Sequence, residues 1–158
     1  MDLPYFIGNA KTAIDGKGRS SFPRELRRQL WPTEGNEFVV TRGPDHTLRL
    51  YMLPEYVKYM AEIDAFKDRR QADVFRKQLD ACFVEMDGQN RILIPKKLLD
   101  HAGLTTEVVY SPGRGRSLEM WNPERFESQH SMQSEEDLKL FDEMFYRIGS
   151  TEGLDDKR

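Results

Sequence analysis

Apolar and polar residues alternate with a period of two along several short stretches of this chain and recur every three or four residues along others, which separates strands from helices. Glu37-Phe38-Val39-Val40-Thr41-Arg42 is β-branched and aromatic, Gly43-Pro44-Asp45-His46 has turn chemistry, and Thr47-Leu48-Arg49-Leu50-Tyr51 alternates. This predicts strand, turn, strand. Upstream, Lys11-Thr12-Ala13-Ile14 and Arg19-Ser20-Ser21-Phe22 read as strands flanking an Asp15-Gly16-Lys17-Gly18 hairpin turn, since glycine permits the positive φ that tight hairpins need. Pro23 suits the start of a short helix over Arg24 to Leu30, with Leu26 and Leu30 on one face.

The pattern then repeats. Ile14-Asp15-Gly16-Lys17-Gly18-Arg19 and its continuation to Leu26 return as Met86-Asp87-Gly88-Gln89-Asn90-Arg91 and onward to Leu98, at a constant offset of 72. Leu48, Leu50, Tyr51, Pro54 and Glu55 return as Leu118, Met120, Trp121, Pro123 and Glu124, the offset sliding to 70 and then 69. Small shifts confined to turns mark a duplicated supersecondary unit. The second copy predicts strands at Phe83–Met86, Arg91–Ile94, Glu107–Ser111 and Leu118–Trp121, and a helix from Pro95 to His101 that stops at Ala102-Gly103. Its second turn reads Gly-Arg-Gly-Arg-Ser, which places Arg114 and Arg116 on a flexible surface tip.

Between the copies, Tyr56, Met60, Ile63 and Phe66 mark one amphipathic helix, and Ala72, Phe75, Leu79 and Cys82 suggest another. Cys82 is expected to pack as a small hydrophobe at the junction with the second copy. After Trp121, Asn122 is a good N-cap. In the tail, Ser134-Glu135-Glu136-Asp137 resembles an N-cap with an acidic first turn, and Leu138, Phe141, Phe145 and Ile148 trace one apolar stripe. That stripe fits either its own domain or a neighbouring subunit, and Ser150 to Arg158 is expected to fray.

Composition narrows the function. No stretch approaches the roughly 20 apolar residues of a membrane span, and the start lacks the pattern of a secretory signal, so a cytoplasmic location is expected. One cysteine and three histidines match no metal-ligand spacing or nucleophile–base arrangement, so neither a cofactor nor catalysis is expected. The net charge is −3, but residues 128–158 account for −4. From Lys11 to Arg28, six basic residues face two acidic ones, a cluster able to meet phosphate.

The recurring Asp-Gly-x-x-Arg loop carries the candidate chemistry. Asp15 and Asp87 can accept hydrogen bonds from the backbone of their own turns, and Arg19 and Arg91 enter the return strands beside them. One reading is an ion pair that only fixes the hairpin. The other is a phosphate or base contact, favoured because both loops lie next to basic helix starts, Arg24 and Lys96-Lys97, and because a β-ribbon fits a major groove.

With these motifs the chain resembles the MraZ family of bacterial transcriptional regulators, built from two tandem AbrB-like, swapped-hairpin repeats. The likeness rests on Phe6-Ile7-Gly8, on Asp15-Gly16-Lys17-Gly18-Arg19, and on Thr41-Arg42-Gly43-Pro44-Asp45 leading to Leu48 and Tyr51. It spans roughly Tyr5 to Glu127. The resemblance implies an α+β fold with a first repeat at 5–53, a helical linker at 54–82, a second repeat at 83–127, and a C-terminal helix and tail at 128–158. It further implies a nucleoid-associated regulator of the division and cell-wall gene cluster, a ring homo-oligomer binding repeated elements in double-stranded promoter DNA, with no membrane or small-molecule substrate. Arg19 and Arg91 become the leading DNA contacts, Lys17 and Arg42 weaker ones argued from charge near the same loop, and Asp15 and Asp87 order the loops. An AbrB-like protein-interaction or antitoxin-type scaffold is the alternative. Asn90 replaces the motif's glycine and Gln89 replaces lysine, so the two loops are expected to contribute unequally.

Overall fold

Neither repeat closes on its own strands. In a computed structural model that describes residues 2–131 and 134–150, the first repeat supplies β1 (Ala10–Ala13), β2 (Arg19–Ser21), α1 (Arg24–Arg27), β3 (Glu37–Arg42), β4 (Leu48–Met52), α2 (Leu53–Asp64) and α3 (Arg69–Gln78). The second supplies β5 (Cys82–Glu85), β6 (Arg91–Leu93), α4 (Lys96–Ala102), β7 (Glu107–Pro112), β8 (Ser117–Trp121), α5 (Pro123–Ser131) and α6 (Glu135–Arg147). The fold is α+β and duplicated. It divides near Pro123: the eight strands and α1 to α4 form one unit, while α6 and nearly all of α5 form another.

The strands exchange between repeats. A six-stranded antiparallel sheet has the order β1-β7-β8-β4-β3-β5, and β2 pairs with β6 in a separate two-stranded ribbon. Ala10 lies opposite Tyr110, and Cys82 lies opposite Val40. These two pairings are the same one with the repeats interchanged. The predicted hairpins around Asp15 and Asp87 are therefore turns without ladders of their own: the first retains a single bridge, Ile14 to Ser20, and β2 finds its partner in the other repeat.

Period-two alternation decides what is buried. Phe38, Val40, Leu48, Leu50, Met52, Val84, Val108, Tyr110, Leu118 and Met120 face one side of the sheet, and Phe22, Leu26, Ile92, Ile94 and Leu98 complete the core. The Ser20 hydroxyl sits 2.7 Å from the Tyr110 hydroxyl inside this core, satisfying two polar groups that burial would otherwise penalise. Gly103 ends α4 in the left-handed conformation, φ 62°, as the Ala-Gly stop predicts. Ser134 caps α6, its hydroxyl accepting from the Asp137 amide at 3.1 Å. The expected fraying of the last residues falls outside the described residues from 151 onward.

Two expectations are corrected. Cys82 does not extend the stripe of α3, which ends at Gln78; it opens β5 and packs against the main core. The spacing of Ala72, Phe75, Leu79 and Cys82 crosses the turn at Asp80, whose φ is 49°. Arg116 is not on a mobile tip. It is 3% exposed, its Nη2 donates to Glu34 Oε1 at 2.5 Å and its Nε to Glu34 Oε2 at 2.8 Å, and the guanidinium lies over the rings of Phe6 (4.1 Å) and Trp31 (4.4 Å). This buried fork joins the two repeats, with a third bond from Nη2 to the Gln29 carbonyl at 2.9 Å.

Replacing Arg116 by alanine leaves a buried carboxylate unpaired and is expected to cost about 3–5 kcal/mol of unfolding free energy. Replacing Glu34 and Arg116 together by leucine and methionine should cost less than the single change. Urea unfolding followed by tryptophan fluorescence checks both.

Candidate nucleic-acid interface

Each Asp-Gly-x-x-Arg loop is tied by its aspartate in the same way. Asp15 Oδ1 accepts from the amides of Lys17 and Arg19, both at 3.0 Å, and Oδ2 accepts from Arg19 Nε at 2.7 Å. Asp87 Oδ1 accepts from the amides of Gln89 (2.8 Å) and Arg91 (2.9 Å), and Oδ2 from Arg91 Nε at 3.0 Å. The carboxylate thus substitutes for a strand partner within the turn and holds the arginine stem against it. The backbone amide of the following arginine is the main cause that draws each aspartate below its ordinary value; the guanidinium adds to it.

The turns need a left-handed residue one position before the arginine. Gly18 has φ 86° and Asn90 has φ 61°, so asparagine serves here as expected. At Gly18 a Cβ would also stand 3.0 Å from the Ile94 carbonyl oxygen. That closeness has a purpose: Ile94 N–H donates to the Gly18 carbonyl at 2.9 Å, and Phe22 N–H donates to the Asn90 carbonyl at 2.8 Å. Each loop is pinned by the other repeat's strand.

The β2–β6 ribbon brings the arginines together. Arg19 lies opposite Leu93 and Ser21 opposite Arg91, with Ser20 and Ile92 between them pointing into the core. Arg19 and Arg91 therefore share the outer face as diagonal neighbours, about 7–8 Å apart in such a ladder. Arg91 Nη1 is 4.0 Å from Asp15 Oδ2, an ion pair that crosses between the loops. The side chains of Arg19 and Arg91 are 33% and 26% exposed. Their Nε atoms are spent on the aspartates, while the Nη groups of Arg19 donate to no further partner among the described residues. Lys17, Arg24, Lys96 and Lys97 are exposed in the same loops and adjoining helix starts, although Lys97 also reaches Asp80 at 3.6 Å.

Arg42 is not part of this group. The Asp87 loop follows Glu85, which pairs with Glu37 at the start of β3, and Arg42 stands at the other end of that strand, about 17 Å away at the usual rise. It pairs instead with Asp80 at 4.0 Å and lines a cavity of about 670 Å³ with Tyr51, Tyr59 and Phe75. Charge proximity in sequence does not survive the strand direction. What sequence reasoning missed is that Ser21 and the half-exposed Leu93 share the arginine face; the alternation of Ser20 and Ile92 held that information once β2 was paired with β6. Among the described residues no group of three or more His, Cys, Asp or Glu is placed to hold a metal, and no helix is long and apolar enough to cross a membrane.

Strand-exchanged repeats that present two aspartate-anchored arginines on one ribbon define a duplicated swapped-hairpin protein. A family model described as "MraZ protein, putative antitoxin-like" matches residues 5–77 and 79–147. The chain belongs to the MraZ family. Among its relatives, "Transcriptional regulator MraZ" of Pediococcus pentosaceus is 37% identical over 77% of this chain and 84% of its own length. The protein of the same name from Chlorobium luteolum is 36% identical over 76% of this chain and 85% of its own, and that of Leuconostoc citreum 33% over 78% and 85%.

A carboxylate held below its ordinary value adds stability at every pH above that value and loses it as the pH falls through the depressed one. Both aspartates are expected to titrate below the ordinary 3.8 in a carbon-detected NMR titration. Arg19→Ala should leave Asp15 still depressed, because its backbone donors remain. Protection of the Lys17 and Gln89 amides, taken relative to their intrinsic exchange rates, should hold above about pH 4 and fall in stronger acid.

Proposed function

We propose that this protein is a transcriptional regulator that binds repeated elements in double-stranded promoter DNA, with Arg19 and Arg91 as its principal contacts. One observation carries the reading: the β2–β6 pairing sets two pre-ordered, partly exposed arginines side by side on one face of a twisted ribbon. A guanidinium with its Nε already held has two Nη groups left for a guanine edge or a phosphate. Asp15 and Asp87 supply the order, so little rotamer entropy is lost on binding. Lys17 adds phosphate attraction on the first loop, and Gln89 adds none on the second, so the loops bind unequally. The family resemblance supports a ring homo-oligomer acting on the division and cell-wall gene cluster. Several such loop pairs on one body would bind spaced DNA repeats through avidity.

The family's description as antitoxin-like favours a second reading as a protein-interaction scaffold. Capture of a protein partner, with no discrimination between promoter and scrambled DNA, would select it.

Gel shift at fixed salt on DNA from beside the protein's own gene tests the proposal. Arg19→Ala or Arg91→Ala should weaken specific binding by about 1–3 kcal/mol per contact and leave the fold intact. Lys17→Ala should weaken specific and scrambled DNA alike and reduce the log-log salt slope by about one, while Arg42→Ala changes neither. Wild-type affinity in both arginine variants overturns the assignment.

A further inference from the structure

The ribbon face that carries the arginines also carries one apolar side chain. Register and alternation put four residues there: Arg19 and Ser21 from the first repeat, Arg91 and Leu93 from the second. Leu93 is 56% exposed, whereas Ile92 and Ile94 on either side of it are buried in the core. A lone exposed leucine is ordinary on a protein surface. Its setting here is not, because it stands directly opposite Arg19.

The ladder fixes how near the two side chains lie. Ile94 N–H donates to the Gly18 carbonyl and Phe22 N–H to the Asn90 carbonyl, so the hydrogen-bonded pairs fall on even-numbered residues. Arg19 and Leu93 therefore form a non-hydrogen-bonded pair, the closer kind, with Cβ atoms about 4.5–5.5 Å apart. Leu93 also reaches the first loop itself, since a Cβ on Gly18 would meet its Cδ1 at 3.9 Å.

Each loop's face is thus completed by the other repeat. Leu93 stands beside Arg19, and Ser21 stands beside Arg91. Positions 21 and 93 are equivalent in the duplication, at the same offset of 72 that relates the two arginines. The chemistry at the two positions differs: a hydroxyl accompanies one arginine and a branched alkyl group the other.

What meets Leu93 follows from that chemistry. An anionic phosphate backbone offers nothing to an exposed alkyl group. In the major groove the base edges present donors and acceptors, and the one apolar group among them is the C5-methyl of thymine. Bases follow one another at about 3.4 Å along a strand, less than the spacing of the Arg19 and Leu93 stems. A ribbon whose Arg19 contacts one base pair therefore holds Leu93 over the next. The minor groove presents no methyl group, so the same residue also selects the groove.

We propose that Leu93 reads a thymine C5-methyl group in the base pair adjoining the one that Arg19 contacts, while the second loop, with Ser21 in the matching place, has no such preference. This rests on the DNA-binding reading above and gives it sequence content. The test is a gel-shift titration at fixed salt on the promoter duplex, with thymines replaced one at a time by deoxyuridine, which keeps the pairing and lacks only the methyl group. Wild type should lose about fourfold in affinity at one thymine of each repeated element, the effect of one buried methyl group. Leu93→Ala and Leu93→Ser, both changes at an exposed position, should keep the wild-type circular dichroism and bind the thymine and uracil duplexes equally. Ser21→Ala should keep the wild-type preference. Wild type that still separates promoter from scrambled DNA but ignores every uracil overturns this inference and leaves the arginine assignment standing. A thymine preference that survives in both Leu93 variants also overturns it, because the methyl group then acts through another residue or through the stiffness of the duplex. Wild type that does not separate promoter from scrambled DNA overturns both readings.

Discussion

The structure depends on strands being exchanged between the two repeats. β1 completes the sheet beside β7, β5 completes it beside β3, and β2 pairs only with β6. None of these three ladders can form inside one repeat. Closing them requires contacts far apart in the chain, from Val40 with Cys82 to Ala10 with Tyr110, which costs loop entropy that local hairpins avoid. The gain is one continuous core from two units each too small to hold a sizeable one. The same constraint makes the candidate site, because the ladder joining the repeats also carries Arg19 and Arg91 onto one face.

Buried polar groups hold that exchange in a single arrangement. The Ser20–Tyr110 hydrogen bond fixes β2 over β7, and the Arg116 fork on Glu34 ties the second repeat's turn to the first repeat's chain. Neither adds much net stability over a well-packed apolar pair. Each penalises every other register, since a slipped strand would strand a hydroxyl or an ion in the core. The cation is also sandwiched by Phe6 and Trp31, which excludes the water that would otherwise soften the penalty.

Strands, turns and the repeat itself were legible in the sequence because each is written in local periodicity. The stretch from Glu37 to Arg42 is a strand to the residue. Partner choice was not legible, because Arg19-Ser20-Ser21 alternates in the same way whichever strand lies beside it. For the same reason the arginines could be named as candidates, but not placed as diagonal neighbours. Arg116 was misplaced by its flanking glycines: Gly-x-Gly signals a turn, and nothing local shows that the turn sits on Glu34. Arg42 was misplaced by proximity along the chain, since a six-residue strand carries it away from the loop. Cys82 continued a helical stripe by arithmetic alone.

Duplication also explains how two identical starting units come to do different work. The loops have diverged in charge, Lys17 against Gln89, while keeping the aspartate that orders them and the left-handed residue that shapes them. The helical pairs have diverged in packing. The first pair satisfies itself through Ile63, Ala72 and Leu79, and in α5 and α6 no described residue is buried. In the ring proposed above, a loop pair making only a few contacts recurs at fixed spacing, and only DNA with the same spacing engages every copy.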